Sequence, residues 1–195
     1  MTASRFHALP RLLAAALVAA LLTLLLPGFA PGAQAVARPA PTKARLVKVL
    51  KTVAFPKGAT PGTVETESLS RADGTICGAY LPSKLAVSRT TDDEEMSVSY
   101  LPTSSATKAR AFVKKVRAKR SCEDGLLRRT TLKGAPKDTA AMVLVLKLDD
   151  GPELRFYLAF ASTGRSIVTA GATTKKDVAT LLTNAVRSYR KAKLA

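Results

Sequence analysis

From Glu153 to Ser162 the chain alternates in a way that only an extended backbone can use: Leu154, Phe156, Leu158 and Phe160 fall on one side. A period of two marks a strand with one apolar face buried, because successive strand side chains point to opposite faces. Asp149-Asp150-Gly151-Pro152 turns the chain before it and Gly164 turns it after. Its neighbours Ala140–Leu148 and Arg165–Gly171 then complete a meander. Ala140–Leu148 is apolar on both faces for most of its length, which predicts a central strand.

The same reasoning orders the rest of the chain. Leu85–Thr91 and Glu94–Leu101 read as a hairpin about Asp92-Asp93, with Met96, Val98 and Tyr100 on one face. Thr63–Leu69 reads as an edge strand, Arg71–Gly74 as a turn, Thr75–Tyr80 as the segment carrying Cys77, and Leu126–Lys133 as a further strand. Helices are expected at Lys43–Val53, capped by Thr42, and at Ala106–Ser121, capped by Ser104 or Ser105. The second has Ala109, Phe112, Val113 and Val116 as its stripe and Cys122 at its end. A last helix follows Thr173 or Thr174, with Asp177 in its first turn and Arg187, Arg190, Lys191 and Lys193 at its end. Its stripe is Val178, Leu181, Leu182, Ala185, Val186 and Tyr189. The fold class is α+β: an antiparallel sheet with flanking helices, in one domain.

The first residues are of another kind. Arg5 and Arg11 precede Leu12–Leu26, apolar except for Thr23; Pro27-Gly28 and Ala33-Gln34-Ala35 follow. A basic start, a short apolar run and a small-x-small triplet predict a signal peptide over 1–35, since a spanning helix needs ~20 apolar residues. Cleavage is expected after Ala35, or after Ala37 through Ala35-Val36-Ala37. Residues 36–42 form a linker and 43–195 the domain. No cysteine lies near the cleavage site to take a lipid. The expected destination is outside the cell or on its wall, where Cys77 and Cys122 pair in one disulfide.

Composition removes most catalytic chemistry. The only histidine, His7, lies in the leader, so no Ser-His-Asp or Cys-His system and no histidine zinc site remains. Two cysteines cannot build a four-thiolate centre. The acids Asp92-Asp93-Glu94-Glu95, Glu123-Asp124 and Asp149-Asp150 with Glu153 lack EF-hand spacing and suit ordinary hairpin turns. There is no tryptophan to stack a sugar, no Gly-x-Ser-x-Gly, and no phosphate-loop or dinucleotide fingerprint. The expectation is a protein without enzymatic activity, metal or cofactor.

One anomaly remains. The chain has 31 Lys+Arg against 14 Asp+Glu, a formal charge of +17, which falls by two when Arg5 and Arg11 leave with the leader. Lys108, Arg110, Lys114, Lys115, Arg117, Lys119 and Arg120 crowd one predicted helix, Arg128, Arg129 and Lys133 extend the run, and no acid lies between Glu95 and Glu123. Such density attracts polyanions: anionic lipid headgroups, wall polymers or acidic proteins, with nucleic acid not expected in the exported compartment. The bland alternative is a solvated helix face. If Phe112, Val113 and Val116 face the sheet, Lys108, Lys115 and Lys119 form a connected outer face, flanked by Arg110, Lys114 and Arg117.

The order of elements resembles the PknH-like extracellular sensor domains of actinobacterial secreted and envelope proteins. The features that carry the likeness are a helix running into a Pro-Gly loop (Leu46–Gly58), Cys77-Gly78 before a hairpin, and Tyr100 in a strand. They continue with Ala109, Phe112, Val113 and a helix-terminal Cys122, then Ile167–Gly171 feeding an Ala/Leu-rich C-terminal helix. The resemblance implies an antiparallel sheet with flanking helices, a disulfide tying the hairpin region to a helix, and a cleft with a sensing role. Kinase-attached members carry a second disulfide that this chain cannot make. Two readings follow. An unknown small ligand is recognised in a cleft between sheet and helices; alternatively, helix 106–121 binds envelope polyanions or an anionic membrane surface.

Overall fold

A computed structural model of the chain describes residues 39–70, 75–93, 95–122, 125–146 and 153–194. The predicted leader, linker residues 36–38 and the predicted turn Arg71–Gly74 lie outside these residues, as do Glu94, Glu123, Asp124, Asp149 and Asp150. Residues from Ala40 onward form one compact unit.

The alternating segment is β9 (Leu154–Thr163), between β8 (Ala140–Leu146) and β10 (Ser166–Ala172) in the predicted meander. The remaining strands are β1 (Pro61–Ser68), β4 (Leu85–Thr91), β5 (Met96–Pro102), β6 (Ser121–Cys122) and β7 (Leu127–Arg129), with β2 (Thr75–Ile76) and β3 (Ala79–Tyr80) apart as a small hairpin. The large sheet has the order β1-β4-β5-β10-β9-β8-β7-β6, antiparallel throughout. β8 is interior but off-centre; β10 and β9 occupy the middle. β1 is an edge, as expected, with a register shift between Pro61 and Val64 and with Glu65 and Glu67 along it. The opposite edge is the two-residue β6.

Helices cover both faces of this sheet. α1 (Lys43–Lys51) and α3 (Lys175–Lys191) pack with Val87, Val98, Tyr100, Tyr157, Ala159 and Val168 in a first core. α2 (Ala106–Ala118) packs on the other face with Leu101, Met142, Phe160 and Ile167 in a second. Each fully buried side chain the size of Leu181 or Ile167 contributes about 1.5–3 kcal/mol. The second face of β9 was hidden in the sequence because its residues are Tyr157, Ala159 and Ala161, which carry a weak apolar signal. On its first face the residues fade from buried Phe160 to half-exposed Leu154, beyond the reach of α2.

Side-chain caps fix the helix starts. The hydroxyls of Thr42, Ser105 and Thr174 accept from the backbone N–H groups of Arg45, Lys108 and Asp177 respectively. The Thr174 hydroxyl also donates to the Asp177 carboxylate at 2.6 Å. All six predicted stripe residues of α3 are buried. α2 is shorter than expected. Lys119 turns extended after Ala118, and Cys122 belongs to β6 rather than to a helix end. β7 shrinks to Leu127–Arg129, because from Thr130 the chain leaves the sheet as a loop.

Cys77 and Cys122 are bonded, with Cα atoms 4.9 Å apart. The Leu69 N–H donates to the Lys84 carbonyl, and residues 75–83 are the described stretch between them that stands off the large sheet. They form an arm whose apolar residues Ile76, Ala79 and Leu81 join the α2 core. At the tip of its hairpin Cys77 and Gly78 have φ values of +55° and +68°. A two-residue turn with both central residues in the left-handed region is a type I′ turn, whose twist suits a hairpin. The arm thus runs from the β1–β4 side to the β6 edge, where the disulfide holds it.

Candidate ligand-binding site

The loop between β7 and β8 shapes a hollow bordered by lysines. Thr130 donates its N–H to the Ala141 carbonyl, and Thr139 bonds back to Pro136 through both its N–H and its hydroxyl. Leu132 packs against the α1/α3 core, while Asp138 reaches the α2 side and pairs with Arg117 at 2.6 Å. The loop therefore passes from one face of the sheet to the other. Gly134, at φ +81°, makes the turn that brings its carbonyl to the Thr183 hydroxyl.

Between this loop and α3 lies a groove of about 610 Å³, lined by Thr131, Lys133, Lys175, Lys176, Thr180 and Asn184 among others. Among the described residues three lysines line it and no carboxylate does. The Asn184 amide donates to the Ala54 carbonyl, tying α3 to the chain after α1. The Lys175 ammonium stands 5.9 Å from the Tyr157 ring centroid, a geometry in which the ring face attracts the cation. A second hollow, of about 340 Å³, includes Arg117, Arg129, Thr130, Thr131 and Asp138. A third, of about 620 Å³ near Tyr80 and Lys108, is lined in part by Ala40 and Pro41, where the chain enters the domain.

All six predicted polyanion-binding residues are exposed. They do not share one face. With Ala109, Phe112, Val113 and Val116 inward, 100° per residue puts Lys114 outermost, with Lys108 and Lys115 on one flank and Arg110 and Arg117 on the other. Lys108 borders the arm, sharing a hollow with Tyr80; Arg117 meets Asp138; Lys119 lies past the helix end. The expected grouping shifts because the buried stripe is centred on Ala109 and Val116, which turns Lys114 outward.

Sequence reasoning missed the groove. One signal was available: Lys175 and Lys176 sit in the first turn of α3, where the helix dipole disfavours cations. A local electrostatic cost of that kind marks a place where something other than stability is served.

Acid–base chemistry does not converge anywhere on the described residues. Asp93 is held below the usual carboxylate range, first by the Thr91 hydroxyl and then by the Glu95 N–H, on the open surface. Arg155 is raised by its hydrogen bond to Glu153. Burial pushes the hydroxyls of Tyr100 and Tyr189 up, but these rings pack against each other at a tilt within the α3 core, with centroids 5.4 Å apart. Tyr100 donates to the Ala185 carbonyl, and Tyr189 is hydrogen-bonded to the Ser166 hydroxyl. Among the described residues no cluster of three His, Cys, Asp or Glu could hold a metal ion. No helix there is long and apolar enough to cross a membrane.

No family model matches the chain, and no curated protein matches its sequence. Among solved structures it is similar to the extracellular domain of PknH from Mycobacterium tuberculosis. The TM-score is 0.44 and the identity 14%, over 80% of this chain and 93% of that one. This is a distant likeness of fold, and the site is read from the chain's own residues.

Proposed function

We propose that the protein is an exported, non-catalytic binding module of the cell envelope, and that its ligand is an anion seated in the groove between the 131–134 loop and α3. The observation that carries this is the set of three lysines around a hollow with no carboxylate in its lining. Thr131, Thr180 and Asn184 supply neutral hydrogen-bonding groups beside the ammonium ions, which suits a ligand bearing hydroxyls as well as charge. The test is equilibrium binding of inorganic tripolyphosphate to wild type and to a Lys133→Glu, Lys175→Glu, Lys176→Glu variant. Wild type binds and the variant does not, with unchanged circular dichroism. Equal binding by both removes the groove from consideration.

A second reading is favoured by the exposure of α2. Of its cations, only Arg117 has an ion-pair partner among the described residues. If about four of them meet phosphates of an anionic surface, counterion release lowers affinity roughly a hundredfold between about 50 and 200 mM salt. Binding in a groove survives moderate salt better, because partly enclosed charges are screened less. Lys108→Glu, Lys115→Glu, Lys119→Glu removes surface binding if this reading holds and leaves tripolyphosphate binding intact if the groove acts.

A further inference from the structure

The groove beside α3 and the hollow beside α2 share one residue, Thr131. From it, Lys133, Lys175 and Lys176 extend on the α3 side of the sheet, and Arg129 and Arg117 extend on the α2 side. Arg129 donates to the Arg117 carbonyl at 3.5 Å, so the second hollow runs up to the end of α2. On α2, Arg110 continues the cations along the flank of Arg117, and Lys114 lies beside it on the outermost line of the helix. One carboxylate borders this path, that of Asp138, and the Arg117 guanidinium already neutralises it at 2.6 Å.

Building on the groove reading, we infer that the two hollows form one continuous track around the β7–β8 loop, and that its ligand is a linear phosphodiester polymer without bases, of the poly(polyol phosphate) kind. The form of the site selects that class. Cations spaced along a path that turns from one face of the sheet to the other match repeated charges on a flexible chain, and a compact anion could touch only one end. Thr130, Thr131, Thr180 and Asn184 face hydroxyl-rich spacers. Among the described residues no aromatic side chain lines either hollow. Single-stranded nucleic acid draws much of its affinity from stacking bases on such rings, so the track has little to offer it.

The prediction is a length effect with a defined geography. Inorganic polyphosphate of about fifteen units should bind one chain per protein and about a hundredfold tighter than tripolyphosphate, since linked contacts raise avidity by ~10²–10⁴. Lys133→Glu with Lys176→Glu, or Arg110→Glu with Lys114→Glu, should each lower long-chain affinity at least tenfold. The same charge change off the track, Lys108→Glu with Lys115→Glu, should lower it less than threefold. All three pairs are exposed, so circular dichroism and thermal midpoint serve as fold controls.

Long and short chains binding alike, two long chains per protein, or equal loss in all three variants would overturn the track. Tripolyphosphate binding lost only in the groove variant would then leave the groove reading standing. Absence of any polyphosphate binding overturns both. Tighter binding of an oligodeoxynucleotide of equal charge rejects the base-free polymer, and so does binding of anionic lipid vesicles that polyphosphate fails to displace.

Discussion

Loss of the Cys77–Cys122 bridge should separate two effects that the arm combines. The bond closes a loop with a sequence separation of 45, for which the chain-entropy model gives about 4 kcal/mol of destabilisation of the unfolded state. Cys122→Ser removes the bond at a half-buried position in a two-residue edge strand, where a hydroxyl reaches water. Its cost should therefore be the bridge alone, about 2–4 kcal/mol. Cys77 is only 3% exposed, at the turn tip within the α2 core. Cys77→Ser loses the same bond and places a hydroxyl in apolar surroundings, adding about 1–2 kcal/mol. With m near 2 kcal/mol/M, urea midpoints should fall by about 1–2 M for Cys122→Ser and further for Cys77→Ser. In both variants amide exchange should quicken first in residues 75–81, ahead of β9 and β10, because the arm then hangs on its short hairpin and three apolar contacts. A Cys122→Ser midpoint within about 0.3 M of wild type would refute the loop-closure argument. A milder Cys77→Ser than Cys122→Ser would refute the burial argument.

Two further outcomes follow from the packing. A Cβ on Gly171 would lie 2.7 Å from the Phe156 ring and 2.9 Å from the Ser97 hydroxyl, so Gly171→Ala should cost about 1–3 kcal/mol in chemical denaturation; in a Phe156→Ala background, where only the Ser97 contact remains, the cost should shrink, and equal cost in both backgrounds counts against the ring contact. Burial, then the neighbouring Tyr189, holds the Tyr100 hydroxyl above its ordinary value of 10.0. Its stabilisation is complete below pH 10 and is lost as pH rises further, because the unfolded tyrosine releases its proton first, at about 1.4 kcal/mol per pH unit. The stability gap between wild type and Tyr100→Phe, set at lower pH by the lost hydrogen bond to Ala185, should therefore stay constant in urea titrations up to about pH 10 and change only above it.

Where the sequence carried local signals, it predicted well. The Thr42 and Thr174 caps, the α3 stripe and the Phe156–Phe160 alternation needed only neighbours in the chain. What escaped it depended on distant partners. α2 was read too long because Lys119-Arg120-Ser121 contains no helix breaker; the chain straightens there to pair Ser121 and Cys122 with Leu127 and Arg128. The type I′ turn was invisible because Cys-Gly is not a favoured pair for it, and the cysteine is held there by its bond across the sheet. Only the two lysines in the first turn of α3 hinted at the groove; its outline was not legible, because Thr131 and Lys133 meet Lys175–Asn184 only through the fold, with no shared motif. The basic helix was legible as a count of charges, but the division of its flanks followed from which residues the sheet buried.

The ends of the large sheet bear on how the protein behaves at high concentration. An open strand is a template: its unpaired N–H and C=O groups recruit other chains and start fibrous aggregation. Here one border is two residues long and is clamped by a covalent bond, which leaves almost nothing to copy. The other is bent out of register near Pro61 and carries Glu65 and Glu67, so a second copy laid antiparallel along it would bring like charges together. An eight-stranded sheet is thereby closed to its own kind at both borders, and the folded protein can reach high concentration without seeding its own precipitation.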